Sequence, residues 1–445
     1  MSVGTDTAAF EQARQLFLEG VGHHEAGRYA QAEAALLASL RALPGRPSTL
    51  SNLGAARLAL GRPQEALADL DAALAAEPGD AQTWCHRAAA CTALQQPADA
   101  LQAYDEALRL EPAFAPARYH RAALLGQLGR AAEAHASLEP LLAADRPDAA
   151  PAWLLAGQLL QALQRDEEAL DAYRRALALD ARLPRVHALL GQLLAALGRA
   201  AAAREIHRQG IASGLEPELN GYLLAGLQGT DAPACSPPAY VRALFDPYAE
   251  AFDTHLVDEL RYRGHEAVVQ AATRCEPGRR WQHVLDLGCG TGLCGRLLQP
   301  LAARIDGVDL SPTMVDAARR SGAYAEVAPG DVAEHLQHTP LRHDLVLSAD
   351  VFIYIGELDT VFRGVRRVLQ PRGLFVFSVE TLADEEADAS GRGYRLRPSL
   401  RYAHAQRYLR RLATAHALGW VDWQPFTVRE EQRRPVAAAV VTLRG

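Results

Sequence analysis

Residues 13–217 repeat themselves at intervals of 34, which constrains the first half of the chain more than any local propensity does. Gly20 and Gly54, Gly27 and Gly61, Ala32 and Ala66, and Pro44 and Pro78 are each 34 apart. Ala100, Ala134, Ala169 and Ala203 continue the small-residue position, with one residue added in the fourth step. Trp84 and Trp153 occupy an equivalent large position, and Gly157 and Gly191 keep the period. A unit of this length that cannot bury an apolar face alone must stack on copies of itself. We read two helices per unit. Small residues (Gly20, Gly54, Gly157, Gly191) allow close approach, and a turn such as Leu60-Gly61-Arg62 joins the pair. Prolines at Pro44, Pro78, Pro112 and Pro217 close each second helix, since proline cannot donate the next hydrogen bond.

These recurring positions resemble the tetratricopeptide repeat (TPR) family, with about six units over 13–217 and a capping helix near 218–227. The resemblance implies a concave groove that takes a protein or peptide partner, or a surface for oligomerisation. The adjacent His23 and His24 do not face each other on a helix, so no metal site is expected. Segment 229–239 lacks periodicity and holds Pro233, Pro237 and Pro238. It reads as a linker, giving an all-α array over 1–228 and a second domain over 240–445.

Composition narrows the chemistry. With 445 residues the chain is long enough for two or three domains, and its charged fraction of 22% is ordinary for a folded protein. All 46 basic residues are arginine, so pyridoxal Schiff-base, P-loop and kinase-type lysine chemistry are excluded. Net charge is −7, and residues 1–239 carry 27 acidic against 20 basic groups, which argues against a nucleic-acid footprint there. The six cysteines form no C-x-x-C pair and read as reduced thiols. Residues 1–14 carry no basic-then-apolar signal, and no run of about 20 apolar residues appears. The expected location is cytoplasmic, with no membrane contact.

The second half alternates strand and helix patterns. Strands are expected at 283–287, 305–310, 325–328, 344–348 and 374–379. Helices are expected at 240–260, 292–301, 312–319, 358–369 and 405–418, the fourth stopped by Pro371-Arg372-Gly373. Apolar stretches 421–426 and 435–443 read as an antiparallel edge. Such alternation defines an α/β Rossmann-like fold, a mostly parallel sheet covered on both faces.

Between the first strand and its helix lies Asp286-Leu-Gly288-Cys289-Gly290-Thr-Gly292. Glycines there let the backbone turn sharply and approach a ligand, and the following helix start offers free N–H groups. Gly290-x-Gly292-x-x-Gly295 also satisfies the dinucleotide fingerprint, with Asp309 downstream. The fuller string, with its acid two before the first glycine, resembles the first motif of class I S-adenosylmethionine (SAM)-dependent methyltransferases. That resemblance implies SAM as cofactor. Asp286, Gly288, Cys289, Gly290 and Gly292 would then border its amino-acid part, Asp309 with Leu310 its ribose, and Asp331 with Val332 its adenine. The segment Phe245-Asp246-x-Tyr248-Ala249-x-x-Phe252 resembles that preceding the first strand in methyltransferases fused to TPR arrays. Tyr248 and Phe252 then become candidates for a lid.

The fourth strand delivers Asp350, Phe352 and Tyr354 to the ligand end of the sheet. This stretch is not the Asn/Asp-Pro-Pro-Tyr string of amino-directed methyltransferases, and no paired-glutamate loop of protein arginine methyltransferases is present. His404 is the candidate general base, because histidine titrates near neutrality, with Asp350 and Tyr354 as further catalytic candidates. Phe352, Arg401 and Tyr402 are substrate-binding candidates. Seven arginines and no acid over 391–411 suit an anionic substrate group. The expectation is methyl transfer to an oxygen or nitrogen acceptor, a small molecule or a protein. The alternative is a non-catalytic SAM-binding scaffold that uses the groove for partner binding.

Overall fold

The computed structural model describes residues 3–143, 147–229, 232–246, 262–431 and 434–445. Tyr248 and Phe252 lie outside the described residues. The chain divides into two compact units, Met1–Leu193 and Leu194–Gly445.

The first unit is a run of antiparallel helix pairs. The pairs Val3–Glu25 with Tyr29–Ala42, Pro47–Ala59 with Pro63–Ala76, and Ala81–Ala93 with Pro97–Leu110 open it, and Ala115–Gln127 with Ala131–Leu142 and Ala150–Ala162 with Asp166–Leu179 follow. The repeated glycines act as expected. A Cβ on Gly54 would lie 2.6 Å from Leu70 Cγ, and one on Gly20 equally close to Leu36 Cγ. Gly61, at φ +73°, makes the turn between paired helices. Proline plays two parts. Pro44, Pro78 and Pro112 follow helix ends, whereas Pro47, Pro63 and Pro97 start helices, where the missing N–H costs nothing. Pro217, expected to end a helix, instead begins Pro217–Gln228. A partly buried ion network ties neighbouring pairs: Arg57 donates to Glu33 at 3.0 Å and Asp69 at 2.6 Å, and Arg62 donates to Glu33 at 2.8 Å.

The boundary between units falls inside the helix Val186–Ala196, earlier than the proline-rich segment suggested. Helices Ala200–Ala212 and Pro217–Gln228 belong to the second unit. Tyr222 is fully buried in that unit's core, and its hydroxyl accepts a hydrogen bond from Ser236 Oγ at 2.8 Å. The segment read as a linker is pinned as well. Ser236 N–H donates to the Tyr354 carbonyl at 2.8 Å, and Cys235 bridges Ile355.

Nine strands form one sheet: β1 (Val284–Leu287), β2 (Ile305–Asp309), β3 (Glu326–Pro329), β4 (His343–Ser348), β5 (Leu369–Leu382), β6 (Tyr394–Leu396), β7 (Tyr402–Ala405), β8 (Gly419–Glu431) and β9 (Arg434–Arg444). The order β3-β2-β1-β4-β5 is parallel throughout. Beyond it β5 forks. Its residues 374–380 pair antiparallel with β9, which carries β8, and residues 380–382 pair parallel with β7, which carries β6. The β8–β9 pair is the expected antiparallel edge, and the β6–β7 hairpin is an addition.

Side-chain alternation allots the strand residues to two cores. Leu285, Leu287, Val346, Phe375 and Phe377 join the helix Asp359–Val368 on one face. Val284, Leu345, Leu347, Leu374 and Val376 join the helices Gly264–Cys275 and Leu293–Leu298 on the other. The helices Gly264–Cys275 and Val332–His338 were not expected from sequence. No described helix is long and apolar enough to cross a membrane.

Candidate functional site

A cavity of about 630 Å³ opens at the C-terminal ends of β1 to β4, the end at which open parallel sheets bind ligands. The glycine loop after β1 forms its floor. Gly288, Gly290 and Gly292 have φ of +70°, +54° and +93°, a conformation a side chain disfavours. Gly288 also abuts Val351, whose Cγ2 would clash with any Cβ there, whereas a Cβ on Gly290 would project into open space. Gly288, Cys289 and Gly290 line the cavity. Gly292 instead caps the helix Leu293–Leu298, where a Cβ would lie 3.0 Å from the Tyr324 ring.

The three acids of the motif take different positions. Asp309 ends β2 and lines the cavity; its Oδ2 accepts from Gly290 N–H at 2.8 Å and its Oδ1 from Ser311 N–H at 2.9 Å. Burial pushes its carboxyl up, and those N–H groups oppose the shift. Asp331 lines the cavity after β3 while capping the helix Val332–His338, through Ala333 N–H at 2.8 Å and Glu334 N–H at 3.0 Å. Asp286 does not reach the cavity. It is 1% exposed, shares the face of Val284, and accepts the Tyr324 hydroxyl at 2.6 Å. Burial is the largest influence on its carboxyl, pushing it up to about 7. The expected contact with a ligand is thereby replaced by support of the loop, since Gly295 N–H also donates to Tyr324 Oη at 3.1 Å.

Leu310 and Val332 complete this wall. Beside them the helix Pro238–Phe245 contributes Val241, Leu244 and Phe245, and Arg242 donates to the Leu310 carbonyl at 3.3 Å.

The residues after β4 divide. Asp350 and Tyr354 line the cavity, Tyr354 meeting Phe245 edge-on at 5.7 Å between centroids. Burial raises the Tyr354 phenol, and the Arg401 guanidinium, hydrogen-bonded to it, opposes that shift. Arg401 also lines the cavity. Phe352 does not, because the chain turns at once into a 3-10 helix, Phe352–Tyr354. Its ring is fully buried among Phe375 and Phe377. Tyr402 is likewise fully buried, its hydroxyl donating to the Pro233 carbonyl at 2.7 Å.

His404 is placed against its expected role as base. It is fully buried and absent from the cavity wall. Its Nε2 donates to the carbonyls of Ile355 at 3.0 Å and Gly356 at 3.1 Å, and its ring stacks on Tyr408. Burial drives its pKa down to about 4, further than those carbonyls raise it. A neutral imidazole whose proton is committed to two carbonyls serves structure.

The sequence reading missed Arg429. It reaches the cavity from β8 and joins Asp350, at 3.0 Å, to Glu380 of β5. Its neighbours in β8 gave no signal, because its partners lie far away in sequence, on β5 and in the turn after β4.

Comparison with known proteins agrees with both halves. Residues 285–377 match the family described as a methyltransferase domain, and residues 146–198 match the TPR repeat. Residues 4–111 also match the bacterial transcriptional activator domain. A malonyl-[acyl-carrier protein] O-methyltransferase of Enterobacter lignolyticus is 30% identical over 186 residues, 40% of this chain and 66% of the relative. A ubiquinone biosynthesis O-methyltransferase of Yersinia pestis is 25% identical over 153 residues, 33% of this chain and 62% of the relative. A thermophilic TPR protein of Thermus thermophilus has a crystal structure that is 25% identical, with a TM-score of 0.36, covering 41% of this chain and 98% of its own. The chain thus spans less than two thirds of the length of either curated relative. Its second unit carries a class I, SAM-dependent methyltransferase domain. The chain thus joins such a domain to a TPR array.

Proposed function

We propose that this protein transfers a methyl group from SAM to an oxygen acceptor, with the helical array selecting the acceptor or its carrier. The carrying observation is the order of groups along the sheet edge: Asp331 after β3, Asp309 at the end of β2, and the glycine loop after β1. The residues fit the cofactor. Gly290 leaves space where a side chain would intrude, and Asp309 presents a carboxylate at ribose height. When bound, SAM supplies a methyl group already activated on a sulfonium.

The residues around it have three tasks. Gly288 and Gly290 let the backbone come close, and Asp309 and Asp331 orient the nucleoside. Phe245, Leu244 and Val241 wall the reacting end against water, which favours an in-line displacement between held partners. Of the catalytic candidates, Asp350 and Tyr354 border the cavity, and we assign contact with the acceptor to Tyr354 and Arg401. The O-methyltransferase names of both relatives support oxygen as the acceptor atom.

Titration calorimetry with SAM tests this reading. Binding by the full chain is expected, weakened at least tenfold in Asp309→Ala; an unchanged affinity would refute the ribose assignment. Incubating labelled SAM with host lysate, using the full chain and a chain lacking residues 1–193, tests the array. Label reaching a protein or carrier fraction with the full chain alone supports selection by the array, and equal labelling refutes it.

A further inference from the structure

Two buried charges and a partly buried third run from the C-terminal hairpin to the cavity. Glu380 in β5 is 3% exposed and accepts from Arg429 Nη2. Arg429 in β8, also 3% exposed, donates through Nη1 to Asp350 Oδ2 at 3.0 Å, and Asp350 is 17% exposed. Exposure rises along the chain, so the outermost carboxylate is the one presented to a ligand. Glu380 is a fixed anchor, with Arg397 3.9 Å from its second oxygen. The backbone at Asp350 is set as well: φ is +60°, and its N–H donates to Ser378 Oγ at 2.8 Å. A non-glycine residue in this left-handed conformation is strained and persists where its surroundings determine it. Two strands therefore cooperate to aim one carboxylate.

The sheet order shows where it aims. Along the strand ends the sequence is Asp331, Asp309, the glycine loop, then Asp350, following β3-β2-β1-β4. Neighbouring strands lie about 4.8 Å apart, so this row spans about 14 Å. A nucleoside held by Asp331 and Asp309 extends its other end over Gly288 and Asp350. Val351, the residue after Asp350, packs against Gly288. At that end SAM carries an ammonium group, which calls for a carboxylate, and Asp286 is committed to Tyr324.

Resting on the reading that this cavity takes SAM, we propose that Asp350 receives the ammonium of the cofactor's amino-acid part, and that Arg429 and Glu380 are the positioning residues that hold it there. Asp350 then serves cofactor binding, and acceptor chemistry falls to the Tyr354 and Arg401 side of the cavity.

The test uses two ligands that lack a sulfonium and differ in the amino-acid part, S-adenosylhomocysteine and 5′-methylthioadenosine. Calorimetry on the full chain would compare wild type with Asp350→Asn, Arg429→Met, Arg429→Lys and Glu380→Gln. Asp350→Asn and Arg429→Met are expected to lose at least tenfold in affinity for S-adenosylhomocysteine while holding 5′-methylthioadenosine within twofold. Glu380→Gln should move the same way by a smaller factor, and Arg429→Lys should recover part of the loss. Parallel loss of both ligands marks a merely structural role and overturns the proposal, as does unchanged S-adenosylhomocysteine affinity. Wild-type protein that binds neither ligand overturns the cofactor reading itself, and so fails differently.

Discussion

Replacing His404 with glutamine separates a structural histidine from a catalytic one. The native imidazole is held neutral, with a pKa of about 4 against an ordinary value of 6.5, because burial disfavours the charged form. The folded-state value is depressed, so the unfolded chain binds the extra proton first as pH falls. Stability is intact above about 6.5, declines as pH drops, and is fully lost from this source below about 4. A difference of 2.5 pH units corresponds to about 3 kcal/mol of acid sensitivity. Glutamine can still donate from Nε2 to the Ile355 and Gly356 carbonyls but does not titrate. Urea unfolding of wild type and His404→Gln, measured between pH 7.5 and 4.5, should give slopes of stability against pH that differ by up to one proton. The variant should keep its methyl-transfer rate near pH 7. Equal slopes would refute the claim that His404 is held neutral by burial. A rate reduced by two orders of magnitude in a stable variant would restore it as general base.

His343 offers an independent check on acid sensitivity. It is 1% exposed, neither ring nitrogen has a hydrogen-bond partner, and burial lowers its pKa to about 4; His343→Leu should flatten the same pH window and raise stability at pH 5, as read by thermal melting. Gly54→Val puts a branched side chain against Leu70 and should cost about 2 kcal/mol through overpacking, lowering the melting temperature of the array while leaving SAM affinity unchanged. Tyr324→Phe removes the hydroxyl shared by Asp286 and Gly295 and should cost about 1–3 kcal/mol, with SAM affinity falling as the loop loosens. Calorimetry on the folded variant checks the second effect.

What the sequence disclosed depended on how far each signal reached along the chain. The repeat and the parallel strand–helix alternation rest on periodicity and on motifs within a few residues of one another, and both were legible; the order of the strands in the sheet was not read. So were the cavity-lining Gly288, Gly290, Asp309 and Asp331, fixed at strand ends by local turns. Phe352 was misplaced for a local reason: after Ser348 the chain leaves strand geometry, so alternation no longer tells which side chains face a ligand. Tyr402 lies in β7, and its burial comes from contacts far away in sequence, such as the Pro233 carbonyl its hydroxyl meets. His404 was read by its chemistry, yet its environment is made by the Ile355 and Gly356 carbonyls, 49 and 48 residues away after β4, together with the nearby Tyr408 ring. Arg429 was invisible because an arginine in a hairpin reads as solvated. Its burial depends on two acids brought by other strands.

The fork in β5 also sets the order in which the halves acquire structure. Each helix pair of the array closes on residues a few dozen positions away, and such local contacts form early and fast. The middle of β5 must instead wait for β9, since Leu374 pairs with Arg444 and Glu380 with Ala438. Until that hairpin arrives, Glu380 has no Arg429 and the cavity lacks its far wall. During synthesis the helix pairs of the array can therefore close before β9 exists to complete the cavity of the second unit.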